Sequence, residues 1–346
     1  MATPIPQKLS SATFAKLSPH PYLLANLQPS PSSDNPTTTT TSSSRANGRQ
    51  PTEARVPSIN NASLSHAHGS SMVRMGDTTV ICGVRGETLA TAQIPNYRAT
   101  DIAAAEQENE LRGYDLLVPN IELATGCAPN FLPGVPPTTL AQTLSTRLYS
   151  LLHSSGILNV ADLRIYDNNT VKEDDEEEKE ETREEVKAYW VLYIDVLFIS
   201  FDGNPFDAAW TAVLAALRDT KLPRAYWDAD KEMVLCSRER AADPAPLSVS
   251  GLPVSCTAAV FAAKERLRQA RTGTADKGSF WMLVDPDRFE ESLCDEMVTV
   301  VVDRSGNETK ILGISKSGGM FVGPEVIRRF VKVAEDRWKE ISDALL

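Results

Sequence analysis

The chain reads as an α/β (α+β) protein built from two similar halves, each a set of strands followed by a helix. Three stretches carry that reading. Residues 188–201 (AYWVLYIDVLFISF) form a near-continuous apolar run, the pattern of a central strand buried on both faces. After the turn Asp202-Gly203-Asn204-Pro205, Phe206, Ala209, Trp210, Val213, Leu214 and Leu217 recur at helical spacing. Residues 280–284, 297–303 and 309–315 are three β-rich runs, the last two joined across Arg304-Ser305-Gly306-Asn307, and an amphipathic helix follows over 324–345. That helix opens at Pro324 and carries Val326, Ile327, Phe330, Val331, Ala334, Trp338 and Ile341 as its apolar stripe.

The remaining elements follow in order. Residues 12–27 predict short helical pieces broken at Pro19 and Pro21, and 28–44 (QPSPSSDNPTTTTTSSS) are too polar to offset chain entropy by burial, so they predict a disordered linker. Residues 71–84 predict a hairpin about Gly76-Asp77, and 113–119 a further strand. Pro136-Pro137 opens a helix with Leu140, Leu144, Leu148, Leu151 and Leu152 on one stripe, ended near Gly156. Residues 160–166 predict a strand, and 247–262 paired strands about Gly251. The expected organisation is an N-terminal segment over 1–44, a first half over 45–224 with a loop insertion at 172–187, and a second half over 225–346 with an insertion at 264–278.

Charge and composition bound the function. The 346 residues carry a formal net charge of −11, but residues 173–185 (EDDEEEKEETREE) hold ten acids against Lys179 and Arg183, a net of −8, which leaves −3 elsewhere. A run of that kind repels itself and stays solvated. No global field attracts a polyanion, so any phosphate contact must come from local basic residues. Five scattered cysteines without a C-x-x-C pair predict reduced, mostly buried thiols, and no Cys/His spacing suggests zinc. The start lacks the apolar core of a secretory leader, and no apolar run approaches the length of a membrane span.

The familiar catalytic signatures (phosphate-binding loops, dinucleotide fingerprints, nucleophile elbows, zinc-protease helices) are absent. Gly318-Gly319 could cradle an anion or simply make a turn that needs positive φ. Asp285, Asp287, Glu290, Glu291, Asp295 and Glu296 lie between two predicted strands. Acids so placed can hold Mg²⁺ or supply a general acid; equally, they can be a solvated loop with helix-capping carboxylates. Arg147, inside an apolar-striped helix, could snorkel, pair with an acid or face RNA.

Three segments in order resemble one family. SLSHAHGSSMVRMGDTTVICGVRGE (63–87) resembles the opening hairpin of RNase PH-type proteins. LYIDVLFISFDGNPFDAAWTAVLAAL (192–217) resembles their long central strand, D-G turn and helix, and LVDPDRFEESLCDEMVTVVVDRSGNETKILGISKSGG (283–319) their C-terminal half. The segment RANGRQPTEARVPSINNASLS (45–65) and the phrase VDP-x-x-x-EE-x-x-x-D (284–295) are similar to the ring proteins of the eukaryotic RNA exosome. The stretches 14–27 and 144–167 look most like the ribosomal RNA processing 43 type among them.

The resemblance implies an RNase PH-like fold and a place in a six-membered ring of RNase PH-like subunits around an RNA channel. It also implies cap RNA-binding subunits, associated nucleases that do the cutting, no cofactor, no membrane, and residence in nucleus, nucleolus and cytoplasm. Active members carry a Ser-Arg or Thr-Arg pair just after the A-D-x-G turn, where this chain has Pro205-Phe206. They carry a basic pair before the helix at 138–153, where it has Pro136-Pro137-Thr138-Thr139. The acid of the family falls on Asp295 or Glu296. Without its phosphate cradle, that acid is insufficient for phosphorolysis. The implied role is therefore a non-catalytic ring subunit in rRNA maturation and mRNA turnover, the alternative being an active phosphate-dependent 3′-to-5′ exoribonuclease. Arg147 matches an RNA-facing arginine of the non-catalytic archaeal subunit, and Arg74 and Arg85, flanking the hairpin, are further candidate RNA contacts.

Overall fold

In a computed structural model, the protein is described over residues 10–28, 44–95, 97, 107–134, 136–167, 185–237, 244–262, 280–294, 296–306, 308–319 and 322–345. The predicted linker, most of the acidic run, the 264–278 insertion and Asp295 lie outside the described residues.

A mixed sheet forms the first half. Strands β1 (Pro57–Asn61), β2 (Gly69–Met75), β3 (Thr78–Ala90), β4 (Leu117–Leu123), β5 (Arg164–Tyr166) and β6 (Val186–Ser200) are ordered β1-β2-β3-β6-β4, with β5 also paired to β6. The hairpin β2–β3 turns at Gly76, where φ is +58°, as the Gly-Asp signal predicts. Only β4 runs parallel to β6, because helices α3 (Gln107–Gly113) and α4 (Thr139–Ser154) intervene between β3 and β5.

The second half is a four-stranded antiparallel sheet ordered β12-β11-β13-β14: β11 (Val254–Ala262), β12 (Phe280–Val284), β13 (Glu296–Asp303) and β14 (Lys310–Ser317). One face, through Cys256, Ala258, Val298, Val300 and Val302, packs on Phe330 and Ala334 of the C-terminal helix. Two short pairings, β7 (Lys221–Leu222) with β10 (Ala245–Pro246) and β8 (Ala225–Asp228) with β9 (Met233–Cys236), bridge the halves.

Helix α5 (Pro205–Asp219) lies between β2–β3 on one side and β11 on the other. Burial on two opposite sides explains why every residue from Pro205 to Leu217 is buried, not only the expected stripe. Trp210, fully buried, donates from Nε1 to the Pro253 carbonyl at 2.6 Å, so its polar atom is satisfied. The close approach of α5 to β2 depends on Gly69, where an added Cβ would stand 2.5 Å from Thr220 Cα. The N-terminal helical pieces form α1 (Ser11–Leu17) and α2 (Pro19–Leu27); Leu23 and Leu27 bury against Phe261 and Leu283 of the second sheet. Helix α6 (Arg288–Leu293) follows β12, and α7 (Pro324–Leu345) closes the chain.

Several expectations change. Residues 113–116 are the end of α3 and a turn, so the strand begins at Leu117. Val160–Leu163 form a 3₁₀ turn capped by the Asn159 side chain, which leaves only three residues to pair as β5. Residues flanking Gly251 do not pair with each other: β10 pairs with β7 and β11 with β12 and β13, while Asp303 holds the Gly251 loop by accepting from Leu252 N–H. Strand β6 is buried on both faces only in its first part; Asp195, Leu197 and Ile199 face outward. On α4, Ala141 takes the buried position expected of Leu140, which turns into an open cleft. Gly318 has φ +121° six residues ahead of α7, so this Gly-Gly is a turn and not the start of a helix. Cys82, Cys127 and Cys256 are buried, Cys294 partly so, and Cys236 is exposed.

Gly69→Ala forces β2 and α5 apart, and is expected to cost about 1–3 kcal/mol, the usual penalty of overpacking. An unchanged urea midpoint with an unchanged slope would contradict the packing described.

Candidate functional site: a cleft between the two halves

Of the acids from the end of β12 to the start of β13, Asp285, Glu290 and Glu296 are buried and ion-paired, not part of a solvated loop. Asp285, 2 % exposed, ends β12 in the left-handed region at φ +50°. Its carboxylate accepts from Arg55 Nε and N–H at 2.8 Å each and from Arg55 Nη2 at 2.8 Å, with Arg49 at 3.4 Å. Burial works against its charge, but the Arg55 guanidinium and its hydrogen bonds outweigh that and hold Asp285 down to about 2. Arg45 reaches the same corner: it pairs with buried Glu290 and donates to the Val284 carbonyl. Burial lowers the Arg45 pKa to about 10, which leaves it charged at neutral pH. Asp287 and Glu290 form a capping box on α6, so the helix-capping half of the expectation holds. The three arginines are legible as R-x-x-x-R-x-x-x-x-x-R, but their acidic partners, Asp285 and Glu290, lie over 200 residues away.

The cluster continues into the cleft. Asn204, also left-handed at φ +48°, stands at the start of α5, and its amide nitrogen donates to both Asp285 (2.7 Å) and Asp207 (2.9 Å). Asp207 accepts from Thr257 N–H (2.8 Å) and from its hydroxyl (2.9 Å). With its proton committed to Asp207, the Thr257 oxygen accepts from the Thr299 hydroxyl (2.9 Å), which in turn accepts from Arg147 Nη2 (2.9 Å). One chain of hydrogen bonds thus runs from the N-terminal arginines to Arg147. Gly203, at φ +76°, lets this turn sit on the backbone before α6; a Cβ there would stand 2.5 Å from the Asp287 carbonyl carbon.

The cleft has a volume of about 450 Å³ and is walled by Leu140, Leu144 and Arg147 of α4, Pro205 and Phe206 of α5, and Met297 and Thr299 of β13. Pro205 offers no N–H, and the Phe206 ring lies under the Arg147 guanidinium, 3.9 Å from its carbon. Burial lowers the Arg147 pKa, with Asp207 working the other way. Pro136, Pro137 and Thr138 line a separate hollow beside Leu132, and Thr138 caps α4, so these residues stand outside the cleft and bring it no charge. Glu296 is fully buried and paired with Lys316 at 2.6 Å. Glu291 also lines the cleft; burial raises it to about 7 while the Asn204 N–H pulls down.

The three predicted RNA contacts do not converge. Arg147 faces the cleft. Arg85, well exposed, pairs with Glu87 and lies near the Tyr193 ring. Arg74 donates to the Gly76 carbonyl by the hairpin turn and pairs in register with Thr79, six residues before Arg85, so the two stand roughly 20 Å apart along β3.

Two pH dependences follow, of opposite sign. Asp285 titrates below its unfolded value, so its stabilising contribution is present above about pH 4 and is lost as pH falls toward 2. Glu291 binds its proton more tightly folded than unfolded, so stability falls as pH rises from about 4.5 to 7. Urea unfolding is expected to show the advantage of Glu291→Gln over the parent growing from about pH 4 to pH 8; a pH-independent difference counts against this.

Residues 53–223 match the first domain of the 3′ exoribonuclease family, RNase PH. The exosome complex component rrp43 of Schizosaccharomyces pombe is 31% identical over 294 residues, covering 85% of this chain and 87% of that protein. The exosome complex component Rrp42 of Archaeoglobus fulgidus is 24% identical over 86% of this chain and 92% of its own length. Among solved structures, a chain of the Archaeoglobus fulgidus exosome with RNA bound to the active site superposes with a TM-score of 0.63 at 23% identity, covering 94% of this chain and 97% of that one, which shows a shared fold. Rice Rrp46 superposes at 0.51 with 16% identity, covering 87% and 97%. The fold, the arginine-clamped turn and a rrp43 relative across most of the length lead to one conclusion: the chain belongs to the RNase PH-like family of exosome complex components.

Proposed function

We propose that this chain is a non-catalytic ring subunit of an RNA exosome, most like the ribosomal RNA processing 43 type. It shapes the RNA channel and holds neighbouring RNase PH-like subunits, cap RNA-binding subunits and associated nucleases. RNA maturation and turnover by that assembly, in the nucleus, nucleolus and cytoplasm, is the process it serves. The relatives named as exosome components support the assembly role.

The observation that carries the silence is Phe206. Where active members place an arginine for phosphate, its ring lies under Arg147, and the preceding Pro205 supplies no amide proton. Phosphorolysis needs inorganic phosphate held in line with its charge offset. Among the described residues the cleft is lined by a single cation, Arg147, already bonded to Thr299. Glu296, the described acid at the family's position, is tied to Lys316. The structural share of the role rests on the seams: α5 joins both sheets, and the arginine cluster fixes the N-terminal segment to β12.

An active exoribonuclease is the competing reading, and Glu291 favours it: a carboxyl held near 7 in a cleft is suited to general acid work. One assay separates the two. Incubated with single-stranded RNA and inorganic phosphate, the purified chain is expected to release no nucleoside diphosphates. Sustained release, abolished by Glu291→Gln, would overturn the silent reading. The separated Arg74, Arg85 and Arg147 further predict weak binding of RNA by the isolated chain even at low salt; tight binding with a steep salt slope would overturn this.

A further inference from the structure

The cleft does not end at Arg147. A second hollow of about 310 Å³ shares Arg147, Phe206, Thr299 and Ser315 with it, and extends along α4 past Leu151 to Ser154. Together they make a trough along α4 from Leu140 to Ser154, roughly 21 Å at 1.5 Å per residue. That length suits an extended segment of about six or seven residues.

The far wall is β14. Leu312, Gly313, Ile314 and Ser315 all border the second hollow. Leu312 is a bulge, left between the Val301–Gly313 and Val302–Ile311 pairs, and it interrupts the alternation of side chains so that four consecutive residues border the hollow. On β13, by contrast, only the alternate residues Thr299 and Val301 face it. Strand β14 is the outermost of its sheet, and among the described residues no strand pairs with its outer edge. It carries Ile311 and Ile314 at about half exposure, an arrangement proteins ordinarily blunt or cover.

The chemistry of the trough narrows its occupant. Its walls are apolar (Leu140, Phe206, Met297, Leu312) and hydroxyl-bearing, with Arg147 as the one cation among the lining residues. Repeated phosphates would need several cations, and Glu291 at one end opposes them. Arg147 is half-buried and oriented by Thr299 and Phe206, yet pairs with no carboxylate among the described residues. Its nearby acid, Asp207, is committed to Thr257 and Asn204. A free strand edge beside a helix, an apolar floor and one oriented arginine together fit strand addition by a peptide that brings a single acid.

We propose that this trough is a docking site for an extended segment of a partner protein, which pairs with the outer edge of β14, sinks an apolar side chain against Phe206 and Met297, and sets a carboxylate on Arg147. The proposal goes beyond ring membership and rests on the cleft's lack of phosphorolytic work.

The test uses the purified full chain and an array of labelled seven-residue peptides. They alternate Val, Ile or Leu with Thr, and a single Glu is stepped through each position; binding is read by fluorescence anisotropy. One Glu register is expected to bind best and to lose about fivefold or more when Glu becomes Gln. Methylating alternate peptide nitrogens is expected to cost about tenfold for the set facing β14 and little for the other set, since an added strand hydrogen-bonds through alternate residues. Arg147→Ala is expected to erase the Glu preference. Because the methylated peptides leave the protein untouched, misfolding of that variant does not spare the proposal. Failure of every peptide to bind, equal binding of Glu and Gln, or equal effects of the two methylated sets overturns it. So does Arg147-dependent binding of a twelve-nucleotide oligouridylate that excludes the peptides. Nucleoside diphosphate release from the same preparation would overturn the silent reading without touching the peptide result.

Discussion

The charge of Asp285 is buried where the two halves meet, and much of the molecule is arranged to keep it tolerable. An isolated carboxylate in that position would cost several kcal/mol, so partners must surround it. Arg55 supplies a side-chain fork and a backbone N–H, Arg49 approaches, and Asn204 donates from the opposite half. The geometry strains both sides: Asp285 and Asn204 each adopt left-handed backbone. Removing any partner leaves a buried charge short of a donor, so the segment before β1, the turn before α5 and the end of β12 are specified together.

The same constraint orders the cleft. Asn204 cannot use its side chain to cap α5, because that side chain bridges Asp285 and Asp207. Asp207 consequently receives Thr257, Thr257 receives Thr299, and Thr299 receives Arg147. The cleft therefore carries a fixed polar chain that ends in one arginine over one phenyl ring. The sheets, α4 and α5 define the cavity, and Pro205 and Phe206 at the start of α5 set the chemistry of its wall.

Strand β14 shows how packing assigns different tasks to one sheet. The face of the second sheet toward α7 is apolar and covered, whereas the face toward α4 carries Thr257 and Thr299 and remains partly open. Outward residues of β6, such as Leu197 and Ile199, are likewise uncovered in the single chain. Such surfaces are compatible with a protein whose work is to be joined to others.

The sequence alone determined the fold class, the hairpin at Gly76-Asp77, the buried α5, the β13–β14 pairing and the amphipathic α7. Each is written in local periodicity or turn chemistry, which depend on residues a few positions apart. It also displayed Pro205 and Phe206 directly. Tertiary structure alone decided that Gly251 does not form a hairpin, that β6 is covered on both faces only in part, and that Leu140 opens onto a cleft. It buried acids that the sequence left open to a solvated loop, since Arg49 and Arg55 close on Asp285 and Arg45 on Glu290. Burial and charge pairing arise between segments far apart in the chain, so no window of sequence records them until the chain has folded.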